Sequence, residues 1–432
     1  MKATLFRLDT AERLLIAGLA VVLAAGTAPA DGFRNPPEGA AGLGRSGARF
    51  TRGEDPSTIS HNPANLADVQ ELVVMPGVTI GYSSIDYTAP NGVTQESEDP
   101  WRMLPAVYAA WPLTEDGRYV AGMGLNMPYG QFTHWDENGI LRYQAPYSAE
   151  MKTLNLSPTF AARLTDELFA GVSLNVMWSE LDFEQFLPWA MLSGNPAAPD
   201  SRLAFEGDGW GLGATVGITW LLSERQRLAA AYHTPMSVTY EGDFEQDNLP
   251  PPAALPPMFG GLSASSDFET EIDFPAMVAL AYGLQATDRL WLETYVEWIE
   301  HSSYEELDLD VGNNNPLLIA ALGGTSIPQD WDDTWVFGLG GNWRLDEELT
   351  LRCGYTWLPT PVPEETMMPH LAEGDKHVLG IGVGYENERH AVDLAYAYNI
   401  AEDRTIDTPA NGVNGEYEFD AHLIGISYLY SF

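Results

Sequence analysis

The chain has 432 residues, of which 61 are acidic and 21 are basic, giving a formal net charge of -40 at pH 7. This balance disfavours nucleic acid as a partner, because a phosphate backbone needs clustered Lys and Arg. The single cysteine, Cys353, excludes a disulfide framework and a thiolate metal cluster, and we expect neither a metal site nor a cofactor.

Residues 1–30 have the pattern of a secretory signal peptide. A positive amino end precedes an apolar stretch at residues 14–25, and Ala28-Pro29-Ala30 forms a small-residue cleavage site. No later run of about eighteen apolar residues could form a transmembrane helix. We therefore expect a mature chain that begins near residue 31 and crosses no membrane by helices.

Residues 31–70 precede the first predicted strand and are rich in Gly, Ala, Ser and Asn. Glycine lets a compact chain turn in a confined space. The chain that follows, residues 71–432, predicts a wide β-barrel, as described next, and such a barrel holds water unless something fills its lumen. We interpret this segment as a hatch, that is, a plug inside the lumen.

Residues 71–432 alternate between short acidic turns and long loops rich in Pro and Gly. Six short turns and seven long loops predict fourteen antiparallel strands and an all-β fold. Transmembrane barrels show this asymmetry, with short turns on the periplasmic side and long loops outside. The turns lie at 114–117, 165–167, 223–226, 286–288, 346–348 and 386–389, and the loops lie near 83–100, 129–150, 187–204, 243–270, 303–332, 360–375 and 401–417.

The predicted strands alternate between apolar and polar residues. Along residues 349–357, Leu351 and Tyr355 share one face, and Arg352 and Gly354 share the other. A membrane barrel needs this pattern, because its outer face meets lipid and its inner face meets the lumen. A soluble β-sandwich also alternates, but it rarely sustains fourteen strands with this asymmetry of turns. The sequence therefore predicts a 14-stranded transmembrane β-barrel.

Two of the long loops are apolar, although surface loops are ordinarily polar. They are residues 186–192 and 249–259. Because exposed apolar patches mark interaction sites, we expect these loops to capture hydrophobic molecules. The alternative is that they pack on one another and cap the barrel. The predicted capture residues are Leu187, Trp189, Met191, Leu192, Leu255, Met258 and Phe259.

A cargo with a carboxylate would need a positive partner. By alternation Arg352 and Lys376 face the lumen, whereas Arg102 and Arg142 lie near the second strand and the second loop. The alternative for each of the four is an ion pair with a neighbouring acidic residue. The acidic balance favours a neutral hydrocarbon or an anion screened by a cation.

The chain ends in a strand whose large apolar residues alternate up to a terminal Phe432. It resembles the terminal strand of bacterial outer-membrane barrels, which the barrel assembly machinery reads. We therefore expect a multi-pass protein of the outer membrane, with that machinery, outer-membrane lipid and lipopolysaccharide as partners. Loops among lipopolysaccharide and divalent cations would also fit the acidic charge.

The stretch 55–66, with its Asn62-Pro63-Ala64 core, resembles the hatch signature of the long-chain fatty-acid transporter (FadL/TodX) family. Residues 141–147 and 154–158 resemble that family's second surface loop and fourth strand. Residues 333–340 agree with it as well. The likeness spans essentially the whole mature chain.

The resemblance implies a monomeric fourteen-stranded barrel closed by an amino-terminal hatch. Hydrophobic molecules, either long-chain fatty acids or hydrocarbons, would be captured outside, passed to an internal pocket, and released sideways through a gap beside a kinked third strand. Glycine weakens strand pairing, so we assign this kink to Gly122 or Gly124.

Two other functions fit a membrane barrel. A general diffusion porin would need an open lumen and would carry steady ion currents, and the Gly-rich residues 31–70 and the apolar loops argue against it. An outer-membrane hydrolase would need a nucleophile beside a histidine at the rim. The histidines are scattered, with His61 in the predicted hatch and His134, His301 and His370 in loops, so we expect no enzyme activity.

Overall fold

The computed structural model describes residues 32–249, 263–312, 324, 326–408 and 413–432. No helix in these stretches is long and apolar enough to cross a membrane. Strands account for most of the structure, and every described pair of strands is antiparallel.

The described elements follow one another along the chain with few helices between them. The strands are β1 (Val73–Thr88), β2 (Thr94–Glu98), β3 (Trp101–Pro112), β4 (Tyr119–Asn126), β5 (Gly130–Trp135), β6 (Ser148–Arg163), β7 (Leu168–Leu187), β8 (Ser201–Ser223), β9 (Gln226–His233), β10 (Met236–Gln246), β11 (Ser265–Phe274), β12 (Met277–Thr287), β13 (Leu290–Ile299), β14 (Glu306–Asp308), β15 (Asp310–Val311), β16 (Ser326–Pro328), β17 (Thr334–Arg344), β18 (Leu349–Leu358), β19 (Lys376–Glu386), β20 (His390–Ala401), β21 (Arg404–Ile406) and β22 (Gly415–Ser431). The helices are α1 (Ala40–Leu43), α2 (Trp189–Ser193) and the 3-10 helices Pro56–Ser60, Pro63–Asp68, His301–Ser303 and Pro369–Leu371.

The wall is a closed barrel of fourteen antiparallel strands, counted over the described residues. It closes because β1 pairs with β3 on one side and with the last strand, β22, on the other. Three of the fourteen wall strands consist of two strands in line, namely β4 with β5, β9 with β10, and β11 with β12. The predicted fold class is confirmed, and each of the six predicted short turns joins two consecutive wall strands.

The outer face of the wall is apolar. Leu174 on β7 and Trp210 and Leu212 on β8 expose 57%, 66% and 75% of their surface, while the alternate residues Ser173 and Thr215 are buried. Successive residues of a strand point to opposite faces, so these exposed residues form a surface suited to lipid. The alternation predicted from the sequence is therefore present in the barrel.

Each of the three broken wall strands is interrupted at a proline. Pro128 separates β4 from β5, Pro235 separates β9 from β10, and Pro275 separates β11 from β12. Proline has no N–H group to donate to the neighbouring strand, so it ends the ladder of hydrogen bonds locally. At each break one neighbouring wall strand pairs with both halves, so the ring of strands stays closed.

Residues 32–70, here named the amino-terminal segment, lie inside the barrel. α1 packs against β19, β20 and β22, whereas the 3-10 helix Pro63–Asp68 packs against β6, β7 and β8 on the opposite side. Leu43, Ala64 and Leu66 have no exposed surface. The segment therefore bridges the lumen from one wall to the other.

A large apolar cluster lies at the loop end of the barrel. It includes Tyr87, Trp135, Tyr240, Trp331 and Tyr417, which come from the loop ends of distant strands and from the loops themselves. Burying these rings stabilises loops that have little regular structure of their own. The long loops therefore fold over the lumen.

Candidate functional site

A cavity of about 480 Å3 lies inside the barrel, between residues 32–38 of the amino-terminal segment and the inner face of the wall. Small-molecule sites commonly measure about 300–1,000 Å3. Much of the lining is apolar and flexible, because methionine side chains adjust to irregular shapes. The lining methionines are Met103, Met127, Met151, Met236 and Met277.

The amino end of the segment pairs with the third wall strand, which consists of β4 and β5. The Asn35 amide donates to the carbonyl of Pro128 at 3.0 Å, and the Gly130 amide donates to the carbonyl of Phe33 at 2.9 Å. The Asn35 side chain also donates to the carbonyl of Met127 at 2.9 Å. These bonds satisfy backbone groups that the interruption of the strand would otherwise leave unpaired.

The wall is unpaired between β3 and the second half of the third wall strand. β3 pairs with β4 from Pro112 to Val107, opposite Val120 to Leu125, and residues 101–106 have no partner on β5 among the described pairs. Arg102 of β3 and Phe132 of β5 face each other there, with the guanidinium carbon 3.0 Å from the ring centroid. Both residues line the cavity, so the unpaired stretch, here named the side gap, adjoins it.

Polar side chains run across the cavity wall in one hydrogen-bonded line. Asn126 donates to Glu38 at 2.6 Å, and Asn155 donates to the side-chain oxygens of Asn126 and Asn175, each at 3.3 Å. Asn175 donates to Thr215 at 3.0 Å, and the Thr215 hydroxyl lies 3.1 Å from Nδ1 of His233. We name Glu38, Asn126, Asn155, Asn175, Thr215 and His233 the polar band.

Several of the charged groups around the cavity are paired. Arg34 holds Glu297 with two hydrogen bonds of 2.6 and 3.3 Å, and Glu297 is 1% exposed. His61 Nε2 lies 3.4 Å from a carboxylate oxygen of Glu38. Burial, reinforced by Arg49, lowers the pKa of His61 well below its ordinary value, and burial raises the pKa of Glu38. His61 is therefore neutral near pH 7 and adds no positive charge beside Glu38.

The Asn62-Pro63-Ala64 motif seats the amino-terminal segment on the wall. The Asn62 side chain accepts from the Ala64 amide at 3.1 Å and donates to the Phe50 carbonyl at 2.6 Å and to Thr219 on β8 at 3.0 Å. The wall opposite has glycines, because a side chain at Gly171 would collide with the backbone of Pro63 and Ala64. The motif residues thus act as a packing element, and they do not line the cavity.

Buried ion pairs fix the rest of the segment. Arg49 lies 3.0 Å from Asp55, and both side chains are nearly inaccessible. Burial alone would raise the pKa of Asp55, but Arg49 and Ser57 hold that pKa below its ordinary value. A buried charge is costly when its partner is lost, so these pairs make displacement of residues 40–70 unfavourable.

The prediction of a kink at Gly122 or Gly124 is wrong. Both glycines pair regularly with β3 and with β6, and the break lies after Asn126. The glycines serve packing, because a Cβ at Gly122 would lie 2.6 Å from Leu66 and 2.9 Å from Ile59 of the amino-terminal segment. The strand breaks where Pro128 withholds a donor.

The predicted capture residues do not form one exposed groove. Leu187 and Trp189 are 5% and 1% exposed, and they pack with Phe205, Phe244 and Phe268 inside the outer loops. The prediction fails for these two residues because β7 and β8 stay paired as far as Leu187 and Ser201, and the side chains at this end pack together as a core. Met191 and Leu192 are exposed, at 78% and 37%. Leu255, Met258 and Phe259 lie outside the described residues.

The four predicted carboxylate partners occupy different surroundings. Arg352 pairs with Asp393 and with Glu54, Arg142 lies 3.3 Å from Asp200, and neither arginine lines the cavity. Lys376 lines the cavity and pairs with Glu373. Arg102 lines the cavity at the side gap and has no carboxylate within 4 Å among the described residues; its Nη1 donates to the carbonyls of Asp99 and Trp101.

Sequence reasoning missed the polar band and the pairing of residues 33–35 with the third wall strand. Strand alternation places Asn175 on the inner face, but it gives no reason to join that residue to Asn126 and Asn155 on other strands. An inward asparagine on each of three consecutive wall strands was the available signal. The partners Glu38 and Arg34 come from a segment without periodicity, so no pattern indicated them.

The family model described as "Outer membrane protein transport protein (OMPP1/FadL/TodX)" matches residues 21–432. The chain is 24% identical over 446 residues to the 47 kDa outer membrane protein of Pasteurella multocida, covering 98% of each. It is 22% identical over 449 residues to the long-chain fatty acid transport protein of Escherichia coli O6:H1, covering 96% of this chain and 97% of the relative.

Solved structures show the same fold. A Pseudomonas aeruginosa FadL homologue superposes with a TM-score of 0.81 at 20% identity, covering 93% of this chain and 100% of that one. The Pseudomonas putida toluene transporter TodX superposes with a TM-score of 0.71 at 15% identity, covering 92% and 99%. At these identities the likeness concerns the fold alone.

Proposed function

The chain belongs to the OMPP1/FadL/TodX family of outer membrane transport proteins, and on that premise we propose that it takes up hydrophobic small molecules across the outer membrane. The observation that carries the proposal is the cavity, which the amino-terminal segment closes on one side and which adjoins the side gap. Cargo would pass from the outer loops into this cavity and leave through the side gap into the bilayer.

A sideways exit is favoured because the straight path is filled. The amino-terminal segment reaches both walls, and its buried pairs and its packing on Gly171 make it costly to displace. The side gap, by contrast, has no main-chain ladder between residues 101–106 and β5 among the described pairs. An apolar molecule that leaves there enters lipid directly and never crosses the aqueous lumen.

The names of relatives suggest two cargo classes. One relative is a long-chain fatty acid transport protein, and one solved structure is a toluene transporter. We propose the same two classes, fatty acids and hydrocarbons, for this chain. Burying each methylene group contributes about 0.8 kcal/mol, so eight of them contribute roughly 6 kcal/mol before entropy losses, enough for capture that remains reversible.

We place the outer capture step at the apolar surface around α2. Met191 and Leu192 of α2 present apolar surface to the outside. Leu255, Met258 and Phe259 remain sequence-based candidates for the same surface. Leu187 and Trp189 support that surface from beneath, because they fill the core of the outer loops.

Among the four basic candidates, Arg102 is the one we retain for contact with a carboxylate. It adjoins both the cavity and the side gap, and its guanidinium is not paired with a described carboxylate. Lys376 lines the cavity but is paired with Glu373, so a cargo anion would have to compete with that carboxylate.

Several sequence-based expectations complete the proposal. They are removal of residues 1–30, closure of the lumen by the hatch, lipopolysaccharide contact, a monomeric state, and recognition of the terminal strand by the barrel assembly machinery. Phe432 is 62% exposed, and its amide donates to the Leu72 carbonyl at 3.0 Å. That position leaves the terminal ring accessible to a partner during assembly.

Uptake by proteoliposomes tests the proposal. The cargoes would be a radiolabelled long-chain fatty acid, toluene and a disaccharide, with liposomes lacking protein as the blank. We expect protein-dependent uptake of at least one of the two hydrophobic cargoes and exclusion of the sugar. Sugar uptake together with steady ion currents across a planar bilayer would instead support a general diffusion porin. Membership in a family of transport proteins favours transport over the hydrolase alternative.

A further inference from the structure

The polar band extends over five consecutive wall strands and faces the cavity. Asn126 lies on β4, Asn155 on β6, Asn175 on β7, Thr215 on β8 and His233 on β9. Amide and hydroxyl groups carry no charge, yet they donate and accept hydrogen bonds. A hydrocarbon gains nothing from such groups, because it neither donates nor accepts hydrogen bonds.

One member of the band offers an unused acceptor. Asn155 is 5% exposed, its amide nitrogen donates to three neighbouring side chains, and its Oδ1 has no hydrogen-bond partner among the described residues. A buried acceptor without a partner costs free energy. The oxygen itself is buried, so the Asn155 side chain must turn toward the cavity to meet a cargo donor, and the bond formed would recover that cost.

The charges that line the cavity balance one another. Four lining side chains are cationic and four are carboxylates. Three of the cations hold a carboxylate directly, since Arg34 pairs with Glu297, Lys152 with Glu150 and Glu180, and Lys376 with Glu373. The band itself ends at Glu38, which would repel a cargo carboxylate placed along it. The lining groups are Arg34, Arg102, Lys152, Lys376, Glu38, Glu98, Glu297 and Glu373.

We propose that the cavity selects uncharged amphipathic molecules, in which an apolar body carries a hydroxyl or a similar neutral donor at one end. The polar end lies on the polar band at Asn155 and Asn175, and the apolar body lies against the lining methionines. This inference rests on the proposed function and adds a third cargo class to it, placing neutral amphiphiles above both carboxylates and plain hydrocarbons.

Three ligands that share a methylphenyl body test the preference for a neutral donor, namely 4-methylphenol, 4-methylbenzoate and toluene. Isothermal titration calorimetry near neutral pH would use the full chain in lipid nanodiscs, with empty nanodiscs as the blank. We expect 4-methylphenol to bind about fivefold to tenfold more tightly than toluene, which is what one neutral hydrogen bond contributes, and 4-methylbenzoate to bind more weakly than both. Equal affinity for 4-methylphenol and toluene would overturn the proposal without any variant.

Two variants locate the selecting group. Asn155→Leu should remove the preference for 4-methylphenol, lowering its affinity about fivefold to tenfold while leaving toluene within about twofold. Asn342→Leu is the matched control, because Asn342 is a buried wall asparagine that binds Glu54 away from the cavity. It should leave all three affinities unchanged. A preference for 4-methylphenol that survives Asn155→Leu would contradict the role of the band.

The competing outcome is a carboxylate site at the side gap. Tight binding of 4-methylbenzoate that Arg102→Gln abolishes would assign the cargo end to Arg102 and overturn selection by the band. Failure of this inference is distinguishable from failure of the proposed function. In the first case toluene or a fatty acid is still taken up by proteoliposomes, and in the second none of the hydrophobic cargoes is taken up or bound.

Discussion

The two halves of the third wall strand differ in how neighbouring parts of the chain hold them. Its first half, β4, pairs regularly with both neighbours, and the amino-terminal segment packs tightly on its glycines. Its second half, β5, pairs with β6 and at its end with β2 but not with β3. The Phe33 carbonyl accepts a hydrogen bond at this junction, and Asn35 donates two. Within the third wall strand, the half that packs on the amino-terminal segment is therefore held on both sides, whereas the half beside the cavity has no strand pairing with β3 among the described residues.

The strongest test of this contrast removes a buried cation from the amino-terminal segment. Arg49→Met would leave Asp55 buried without its partner, and we expect a loss of about 3–5 kcal/mol in the free energy of unfolding. Denaturant titration would measure it. Arg225→Met is the control, because Arg225 and Asp288 form an exposed pair and the expected change is below about 1 kcal/mol. Similar losses in the two variants would show that the Arg49 pair has no special role.

A smaller effect is expected from adding a side chain to the wall where it contacts the Asn62-Pro63-Ala64 motif. In Gly171→Ala the new Cβ would collide with the backbone of Pro63 and Ala64, which should cost about 1–3 kcal/mol and loosen the segment. Proteolysis of residues 32–70 in the folded barrel would report the loosening. Gly213→Ala on β8 is the control, since its nearest neighbour, at 3.2 Å, is a side-chain oxygen of Thr234. Unchanged protection of the segment in Gly171→Ala would count against the packing role.

The amino-terminal segment should also be held less tightly in acid, because the pairing of Asp55 with Arg49 depends on pH. Asp55 has a folded-state pKa below its ordinary value, so its pairing with Arg49 stabilises the fold above about pH 4 and is lost as the pH falls through the folded-state pKa. Between pH 5 and pH 2 the native chain should therefore lose more unfolding free energy than Asp55→Asn does. Parallel pH profiles of the two proteins would contradict the contribution of this carboxylate.

The smallest effect on stability is expected at the side gap. Asn35→Leu removes the bond to the Met127 carbonyl, which should cost about 1 kcal/mol, yet uptake of hydrophobic cargo should become faster because the junction opens more readily. Asn138→Leu in an exposed turn is the control, and it should change neither quantity. Slower uptake in Asn35→Leu would indicate that the junction guides the cargo and does not restrain it.

The sequence predicted the wall better than the cavity. Strand alternation and the contrast between acidic turns and long loops follow from local chemistry, so they gave fourteen strands and the outer-membrane location. The glycines of β4 were misread, because a glycine that admits Leu66 looks the same in sequence as a glycine that bends a strand. The break at Pro128 was missed for a related reason, since a proline marks a lost donor but not which neighbouring strand departs.

The loops show the other limit. Leu187 and Trp189 look like exposed capture residues in sequence, but they are buried against Phe205 and Phe268 from other strands. Trp189 also donates its ring N–H to Ser201 at 2.5 Å, a contact within the same outer hairpin. Burial in such loops depends on partners distant in sequence, and alternation alone does not specify them.

The central claim, that cargo leaves through the side gap, is tested most directly by tethering it. In a Cys353→Ser background, Leu104→Cys and Phe132→Cys would be linked across the side gap with a short bismaleimide, and Ala109→Cys with Met123→Cys would be linked across the regular β3–β4 pairing as the control. We expect the first tether to stop uptake of hydrophobic cargo into proteoliposomes and the second to leave it unchanged. Full uptake with the side gap tethered would contradict the account.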